Sequence, residues 1–365
     1  VQGRGLAYES LLDPDGVTDT YRRLQNWARQ QGDLQYMLMV HSRLAFMLEL
    51  VGQQRESNEL LHELMGAFAD NDVPNRSATI DDLLERRRRI YSASAADEGD
   101  DWQPFVAPPA LPGDPVADVL LLLDPVHAVL PLMTYGWTLR VQGQLEPATR
   151  CLTKAVDLAL KTNQRSLASI AYFQLAVTAG MTGDWERSQA YNEESMALNR
   201  AGENSAAELV SMWPRIGSAF QSLHAGRLDE AERRLQRVLN YLDSSDSFRN
   251  HRNSAMIGLG LVGLGRGDLS TARSMLTEAL ADSINLDPYT HVQGLLGLAR
   301  IAALKHDENH CRTLLQEALA FAGNRSLIEE YVEVVLEIAR LNPAGAPVDR
   351  LLRETLCLAE EAGME

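Results

Sequence analysis

A short turn sequence recurs along this chain at nearly constant spacing. It is clearest as Gly183-Asp184, and related copies begin at Gly143, Gly226, Gly267 and, more weakly, His306. Consecutive turn residues are 40, 43, 41 and 39 positions apart, and each turn separates two apolar segments with helical periodicity. Self-similarity at a fixed period is typical of helical repeat arrays, in which each unit buries its apolar face against its neighbours. The sequence therefore predicts an all-α solenoid of antiparallel helix pairs with a period of 39–43 residues.

Apolar periodicity places the helices around these turns. First helices are predicted at about 125–141, 167–181, 206–224, 249–264, 290–304 and 328–341. Second helices are predicted at about 145–161, 185–200, 228–242, 269–284, 308–322 and 348–361. A weaker pair is expected at 34–50 and 56–69. Ahead of it, the sequence Asp13-Pro14-Asp15-Gly16 predicts a turn, and a helix is expected from Thr18 to Gln31.

Residues 92–118 depart from the repeat pattern. They contain five prolines and six acidic residues but no lysine or arginine, and this proline density excludes a helix interior. Two interpretations stay open, an insertion that replaces one repeat helix and a linker between two shorter stacks. The preceding tetra-arginine run, 86–89, is expected to pair with this acidic segment or with solvent, and docking of an acidic partner is the alternative. We expect helical repeats at 1–91, the insertion or linker at 92–118, and regular repeats with capping helices at 119–365.

Composition excludes several function classes. The formal net charge of −16 argues against a nucleic-acid footprint and against an anionic membrane surface. The longest apolar run is too short to span a bilayer. Three widely spaced cysteines fit a reducing cytoplasm better than a disulfide framework. Because the chain begins at Val1 within what resembles the end of a helix, we expect a segment of a longer cytoplasmic protein; a processed N-terminus is the alternative.

Small side chains occupy fixed positions relative to each turn residue, with Gly52, between the weaker helices at 34–50 and 56–69, counted as the first turn residue. Seven positions before the turn lie Ala45, Gly136, Ala176, Ala219, Gly260 and Ala299. Five positions after it lie Ser57, Ala148, Ser188, Ala231, Ala272 and Cys311. Nine positions after it lie Leu61, Leu152, Leu235, Leu276 and Leu315, and Asn192 is the exception. Small residues at these positions let the two helices of a pair approach closely, and the leucines fill the space between them.

These columns resemble the tetratricopeptide repeat, which has small residues at the same offsets around a Gly-Asp or Gly-Asn turn. The resemblance covers about 125–325 well and 34–70 weakly, and it implies a right-handed superhelix. The period of 39–43 exceeds the family's 34, and the family's helix-ending proline is absent. Longer repeats of this kind are similar to the MalT-like region of large bacterial signal-transducing ATPases, including LuxR-type transcription activators. In those proteins the superhelix senses an inducer or a partner protein, and the ATPase module lies outside it.

Two motifs resemble ligand-binding or metal-binding sequences, but both are better explained as parts of the repeat scaffold. Gly258-Leu259-Gly260-Leu261-Val262-Gly263 matches the dinucleotide fingerprint as a string, but it falls inside a predicted helix and not between a strand and a helix. His306 and His310 are four residues apart but lie at a predicted turn, and the first histidine is not followed by the glutamate of zinc proteases. We therefore predict no cofactor, no metal site and no catalytic constellation.

The resemblance implies that the first helices line an inner groove. Transferring the family's groove offsets gives Met133, Trp137, Arg140, Phe173, Trp213, Ile216, Phe220 and Arg300 as candidate ligand or partner contacts, with Val177, His224, Ile257, Leu261 and Leu296 beside them. Aromatic side chains beside an arginine suit a peptide, a helix or a sugar ring. The alternative is that adjacent helices bury these positions.

The predicted function is that of a non-catalytic ligand-sensing and protein-interaction module in a cytoplasmic bacterial signalling or transcriptional regulator. Its expected partners are a protein, a peptide or a small-molecule inducer, and homo-oligomerisation stays open. A general protein scaffold without an inducer is the first alternative. An enzyme that uses the groove as its active site is the second.

Overall fold

The computed structural model describes residues 14–31, 40, 44, 102, 125–141, 143–200, 212–242, 249–281, 287–325, 327–343 and 346–364. These ranges contain thirteen α-helices and no strand. The chain forms two compact units. Unit 1 comprises Val1–Ser92, Ala110–Arg140 and Gln144–Pro214, and unit 2 comprises Ala93–Pro109, Val141–Gly143 and Arg215–Glu365.

Unit 1 holds the first five described helices. They are α1 (Pro14–Gln31), α2 (Pro125–Val141, whose last residue belongs to unit 2), α3 (Leu145–Lys161), α4 (Arg165–Met181) and α5 (Trp185–Arg200). Helix α4 packs against both α3 and α5. The α4–α5 contact is close enough for two buried serines to bond to each other's backbone: Ser195 Oγ donates to the Ser169 carbonyl at 2.7 Å, and Ser169 Oγ donates to the Ser195 carbonyl at 2.9 Å. Small residues at this junction therefore serve close helix packing.

Unit 2 contains most of α6 and the seven helices after it. They are α6 (Met212–His224), α7 (Leu228–Leu242), α8 (Arg249–Gly265), α9 (Leu269–Leu280), α10 (Pro288–Leu304), α11 (Glu308–Asn324), α12 (Ile328–Leu341) and α13 (Val348–Ala362). From α7 onward each helix packs against the next, and the first helices α8, α10 and α12 also contact one another in sequence. Helix pairs stacked in this way form a solenoid, so the predicted all-α repeat fold is confirmed.

The predicted helix bounds agree with the structure at most positions. Helices α2, α3, α5, α7 and α12 begin and end where the periodicity places them. The predicted turn at Asp13–Gly16 is wrong in part, because α1 begins at Pro14, a residue that fits the first turn of a helix. Helix α9 ends at Leu280, four residues before the expected end. The predicted helices at 34–50 and 56–69, the tetra-arginine run and the proline-rich segment lie outside the described residues, apart from Val40, Leu44 and Trp102.

The recurring turn has a single backbone geometry. Its central residue has a positive φ in each of the five copies that the structure describes, at Gly143, Gly183, Gly226, Gly267 and His306. The next residue donates its backbone N–H to a carbonyl five positions earlier, as in Asp184 to Ala179 at 2.9 Å and Asp268 to Gly263 at 2.9 Å. This bond closes the first helix with a Schellman motif. Where the next residue is aspartate, its carboxylate also caps the second helix, as Asp268 Oδ1 does by accepting from Thr271 N at 3.1 Å.

Replacing Gly267 by alanine is expected to lower the free energy of unfolding by about 1–2 kcal/mol, the cost of a left-handed residue with a β-carbon. No atom lies within 4 Å of where that β-carbon would be, so the penalty comes from the backbone alone. Urea unfolding followed by circular dichroism measures the change. His306→Gly, which places glycine at the equivalent position, is the matched variant and should be stabilising. If Gly267→Ala leaves the free energy of unfolding unchanged, this assignment of the turn is wrong.

The small-residue columns lie at the helix contacts that they predict. A β-carbon added to Gly136 would lie 2.7 Å from Leu152 Cγ, and one added to Gly260 would lie 2.8 Å from Leu276 Cγ. Cys311 fills a slot of the same kind and is buried, as is Cys151, whereas Cys357 is exposed. The glycines of the dinucleotide-like string therefore lie inside α8 and serve packing against neighbouring helices.

The part of the chain that the structure describes contains neither a membrane-spanning helix nor a metal-binding cluster. None of its helices is both long and apolar enough to cross a bilayer. Across the same ranges, no group of three or more His, Cys, Asp or Glu side chains is placed to hold a metal ion.

Candidate ligand-binding face

The groove residues predicted in unit 1 lie on α2, on α4 and at the start of α6. Met133 and Arg140 are buried, whereas Trp137, Phe173 and Trp213 are half-buried. The structure brings Arg140 to α4, where its Nη1 lies 3.7 Å from Met181 Sδ. Three aromatic side chains in unit 1 thus keep part of their surface accessible.

The groove residues predicted in unit 2 fall into two groups. Ile216 and Phe220 on α6 are buried, with exposed fractions of 2% and 3%, so the interpretation of these two positions as core is the better one. The Arg300 side chain on α10 keeps 30% of its surface exposed. Of these three side chains, Arg300 alone offers substantial surface to a ligand.

Tyr289 on α10 packs against Phe220. The two rings meet edge to face with centroids 5.4 Å apart, and the Tyr289 hydroxyl lies 2.8 Å from His224 Nε2. Loss of hydration lowers the pKa of His224, and the positive charge of Arg300 lowers it further. Tyr289 precedes the positions that the repeat offsets select, so sequence reasoning missed it. Gln293, four residues further along α10, also lies outside those positions, so the repeat columns gave no signal for either residue.

A compact ion cluster joins α10 to α12. Arg300 donates from Nε and Nη2 to the two oxygens of Glu337, at 2.9 and 3.0 Å. Arg340 donates from Nε to Glu337 Oε2 at 3.0 Å and from Nη2 to Oε1. Burial acts to raise the pKa of the Glu337 carboxyl, but the hydrogen bonds and charges of the two arginines outweigh it and hold that pKa below its ordinary value. Glu337 is therefore an anion shared by two cations.

One turn earlier on α12, Glu333 has a neutral partner. Gln293 Nε2 donates to Glu333 Oε2 at 2.5 Å. Burial raises the pKa of the Glu333 carboxyl, although the hydrogen bond from Gln293 and the charge of Arg300 oppose the shift. Burial likewise raises the pKa of Tyr289 well above its ordinary value, and four carboxylates add to the effect, Glu333, Glu329, Glu330 and Asp287. The N-terminal ends of α10 and α12 are therefore the acidic end of this surface.

We call the surface formed by Tyr289, Gln293, Arg300, Glu333, Glu337 and Arg340 the α10–α12 face. Tyr289 and Arg300 are eleven residues apart on one helix, which corresponds to about 16 Å at a rise of 1.5 Å per residue. Over that length the side chains change from acidic to basic. Such a face can bind a ligand that carries polar groups along its length.

Comparison with known proteins shows the fold. No family model matches the sequence, and no curated protein matches it. Among solved structures, a Rap protein complexed with Competence and Sporulation Factor is similar, with 14% identity, 90% of this chain and 87% of that chain covered, and a TM-score of 0.55. NprR in complex with its cognate peptide NprX gives 12% identity, coverage of 87% and 88%, and a TM-score of 0.55. The apo form of the quorum sensor NprR from B. thuringiensis gives 15% identity, coverage of 97% and 96%, and a TM-score of 0.51. The structural neighbours are TPR-like helical repeat proteins.

Proposed function

We propose that this chain is a non-catalytic, peptide-sensing module of a cytoplasmic bacterial regulator. The α10–α12 face is the observation that carries the proposal, because it presents positioned charges of both signs on adjacent first helices. A bound peptide offers carbonyls, amides and charged groups along its length, and such a face can pair with them. The fold supports the same choice, since NprR, with a similar fold, has been solved in complex with its cognate peptide.

The mechanism we propose uses the side-chain bridges between α10 and α12. Gln293–Glu333 and Arg300–Glu337 each join the two helices. A peptide that competes for these partners would bind best to one spacing of the helices and would therefore shift the population toward that spacing. The shift cannot exceed the difference in the peptide's affinity for the two arrangements. In a LuxR-type regulator, the kind of protein that the longer repeats resemble, this change would be transmitted to the neighbouring ATPase module.

Unit 1 contributes a second candidate surface within this proposal. Trp137, Phe173 and Trp213 remain predicted partner contacts, and so do Met133 and Arg140, which are buried on the same helix as Trp137. Half-buried aromatic side chains are common anchors in interfaces, because they bury large areas at a low cost in conformational entropy. A protein partner or an inducer fits this surface as well as a peptide does.

Peptide selection followed by variants on the face tests the proposal. Affinity selection with mass spectrometry, using a synthetic octapeptide library with free termini, is expected to return peptides that the full chain retains. Arg300→Gln should weaken the binding of those peptides by about tenfold or more, the typical effect of losing a hydrogen bond to a charged group. Trp137→Ala tests unit 1 in the same assay.

The matched control is Arg273→Gln, which removes the same charge from an exposed position on the second helix α9. This change should leave affinity unaltered. If the chain retains no peptide, or if Arg273→Gln weakens binding as much as Arg300→Gln does, the proposed function is wrong.

A further inference from the structure

An open cleft lies where the chain turns from α12 into α13. Asn342 ends α12 in a left-handed conformation with a φ of 44°, and α13 begins at Val348. The cleft, which we call the α12–α13 cleft, has a volume of about 660 Å³. Its lining includes the apolar residues Ala339, Pro347 and Val348 and the charged residues Asp349, Arg350 and Arg353. A cleft of this volume with both apolar and charged walls can take several side chains of an extended segment.

A distant part of the same chain reaches the rim of this cleft. Arg350 Nη2 donates to the backbone carbonyl of Trp102 at 3.0 Å, although the two residues are 248 positions apart in the sequence. Trp102 is half-buried, and the stretch Ala93–Pro109 that contains it belongs to unit 2, as do α12 and α13. Because Arg350 also lines the cleft, this hydrogen bond joins the proline-rich segment to it.

The residues that precede Trp102 are strongly acidic. Residues 97–101 read Asp-Glu-Gly-Asp-Asp, which gives four carboxylates in five positions. Consecutive Cα atoms are about 3.8 Å apart, so a residue one or two positions before Trp102 cannot lie more than about 8 Å from it. Covalent geometry therefore keeps at least two of these carboxylates in the neighbourhood of Arg350.

The arginines of the cleft can bind carboxylates. Arg353 Nε donates to the Asp349 carbonyl at 3.1 Å, and Arg350 Nε lies 3.9 Å from Glu354 Oε1. Among the described residues, neither arginine has a hydrogen bond to a carboxylate. Asp349 and Glu354 oppose a further anion, so direct charge-assisted hydrogen bonds to the two arginines, and not the net charge of the cleft, have to hold an acidic segment.

We propose that the α12–α13 cleft binds residues 97–101 of the same chain, anchored by the bond between Arg350 and the Trp102 carbonyl. This occupant follows from the position of Trp102 at the rim and from the four carboxylates that precede it. The proposal concerns a surface outside the α10–α12 face and does not depend on peptide sensing. A partner protein that uses the cleft must displace this internal ligand, whose effective concentration is set by its attachment to the chain.

Zero-length cross-linking of the full chain tests the contact. A carbodiimide joins a carboxylate to an amine that touches it, and the chain has three lysines, Lys154, Lys161 and Lys305, none of them on α12 or α13. Arg353→Lys is expected to give a cross-link between position 353 and residues 97–101, identified by mass spectrometry of the digest. The yield of links to residues 97–101 should be about tenfold or more above that from Arg273→Lys, at an exposed position on α9, because a bound pair has a far higher effective concentration.

The anchor is tested by adding Arg350→Gln to Arg353→Lys. Loss of a hydrogen bond from a charged donor should lower the cross-link yield about tenfold, whereas adding Arg273→Gln to Arg353→Lys should leave it unchanged. Sodium chloride at about 1 M should also lower the yield, because it screens exposed charges. Circular dichroism and the thermal midpoint establish that each variant is folded.

Three results would overturn the proposal. The first is a yield from Arg353→Lys no greater than that from Arg273→Lys, as expected if the tetra-arginine run at 86–89 holds the acidic residues elsewhere. The second is a yield that Arg350→Gln leaves unchanged. The third is a cross-link between two chains, which a mixture of isotopically labelled and unlabelled protein reveals. A link confined to one chain and lost with Arg350→Gln supports the proposal.

Discussion

Replacing Gly260 by leucine is expected to lower the free energy of unfolding by about 3 kcal/mol, the upper part of the range for overpacked cores. Gly260 lies on α8 where that helix meets α9. A β-carbon there would lie 2.8 Å from Leu276 Cγ and 3.3 Å from the Ala272 carbonyl oxygen, so α8 and α9 must move apart to admit a larger side chain. Urea unfolding followed by circular dichroism gives the size of the effect. Hydrogen exchange followed by mass spectrometry should show lost protection in α8 and α9 first.

Gly263→Ala is the matched control on the same helix. The nearest atom to its added β-carbon is 3.5 Å away, an ordinary contact distance. Without a clash, the higher helix propensity of alanine should stabilise the protein by about 1 kcal/mol. Opposite signs for the two variants would support close packing as the role of Gly260. If Gly260→Leu unfolds at the same urea concentration as the wild type, the assignment of the small-residue column is wrong.

The second large effect concerns pH. His251 is fully buried near the start of α8, and burial lowers its pKa to about 3. The folded protein therefore keeps this ring neutral, whereas the unfolded chain takes up a proton below about pH 6.5. The stability associated with His251 is fully present above pH 6.5 and is lost as the pH falls from there toward 3. Its contribution should fall by about 1.4 kcal/mol per pH unit, or about 2 kcal/mol between pH 7 and pH 5.

Comparing the free energy of unfolding of the wild type with that of His251→Gln isolates the contribution of His251. Burial, and the charge of Arg325 to a lesser degree, lower the pKa of His291 to about 4, so His291 acts in the same direction. Burial raises the pKa of Asp287 and of Glu333, so these carboxyls act in the opposite direction. His291, Asp287 and Glu333 are present in both the wild type and His251→Gln. Their contributions therefore cancel in the difference between the free energies of unfolding of the two proteins. That difference should be constant above about pH 7.5 and should change by about 2 kcal/mol by pH 5. A difference that does not vary with pH would contradict neutral burial of His251.

The repeat turns and helix pairs could be predicted because their causes are local. A left-handed residue followed by a capping side chain leaves a sequence signature, and even His306, without glycine, adopts the same positive φ. The helix bounds follow from periodicity for the same reason. The turn predicted at Asp13–Gly16 shows why a local signal can mislead. Proline is favoured both in turns and at the first position of a helix, and only the residues that follow it distinguish the two.

The chemistry of the α10–α12 face could be predicted only in part. Repeat offsets select Arg300 because its position is fixed relative to a turn. They do not select Glu337 or Gln293, whose roles arise from the lateral contact of two first helices about 40 residues apart. They also present Phe220 as a groove residue, although it is buried and packs against Tyr289. An offset along the sequence specifies the position of a side chain on its helix. It does not specify which residue of a neighbouring helix contacts that side chain.

The three cysteines differ in their accessibility, and this makes them internal reporters. Cys357 is exposed on α13, whereas Cys151 and Cys311 are buried, one in each unit. A thiol reagent added to the native protein therefore reacts first at Cys357, which provides a single position for a fluorescent label. Burial raises the pKa of the Cys311 thiol, so its reaction requires α11 to separate from its neighbours. The rates of modification at Cys151 and Cys311 thus give the opening free energy of each unit separately, without any engineered residue.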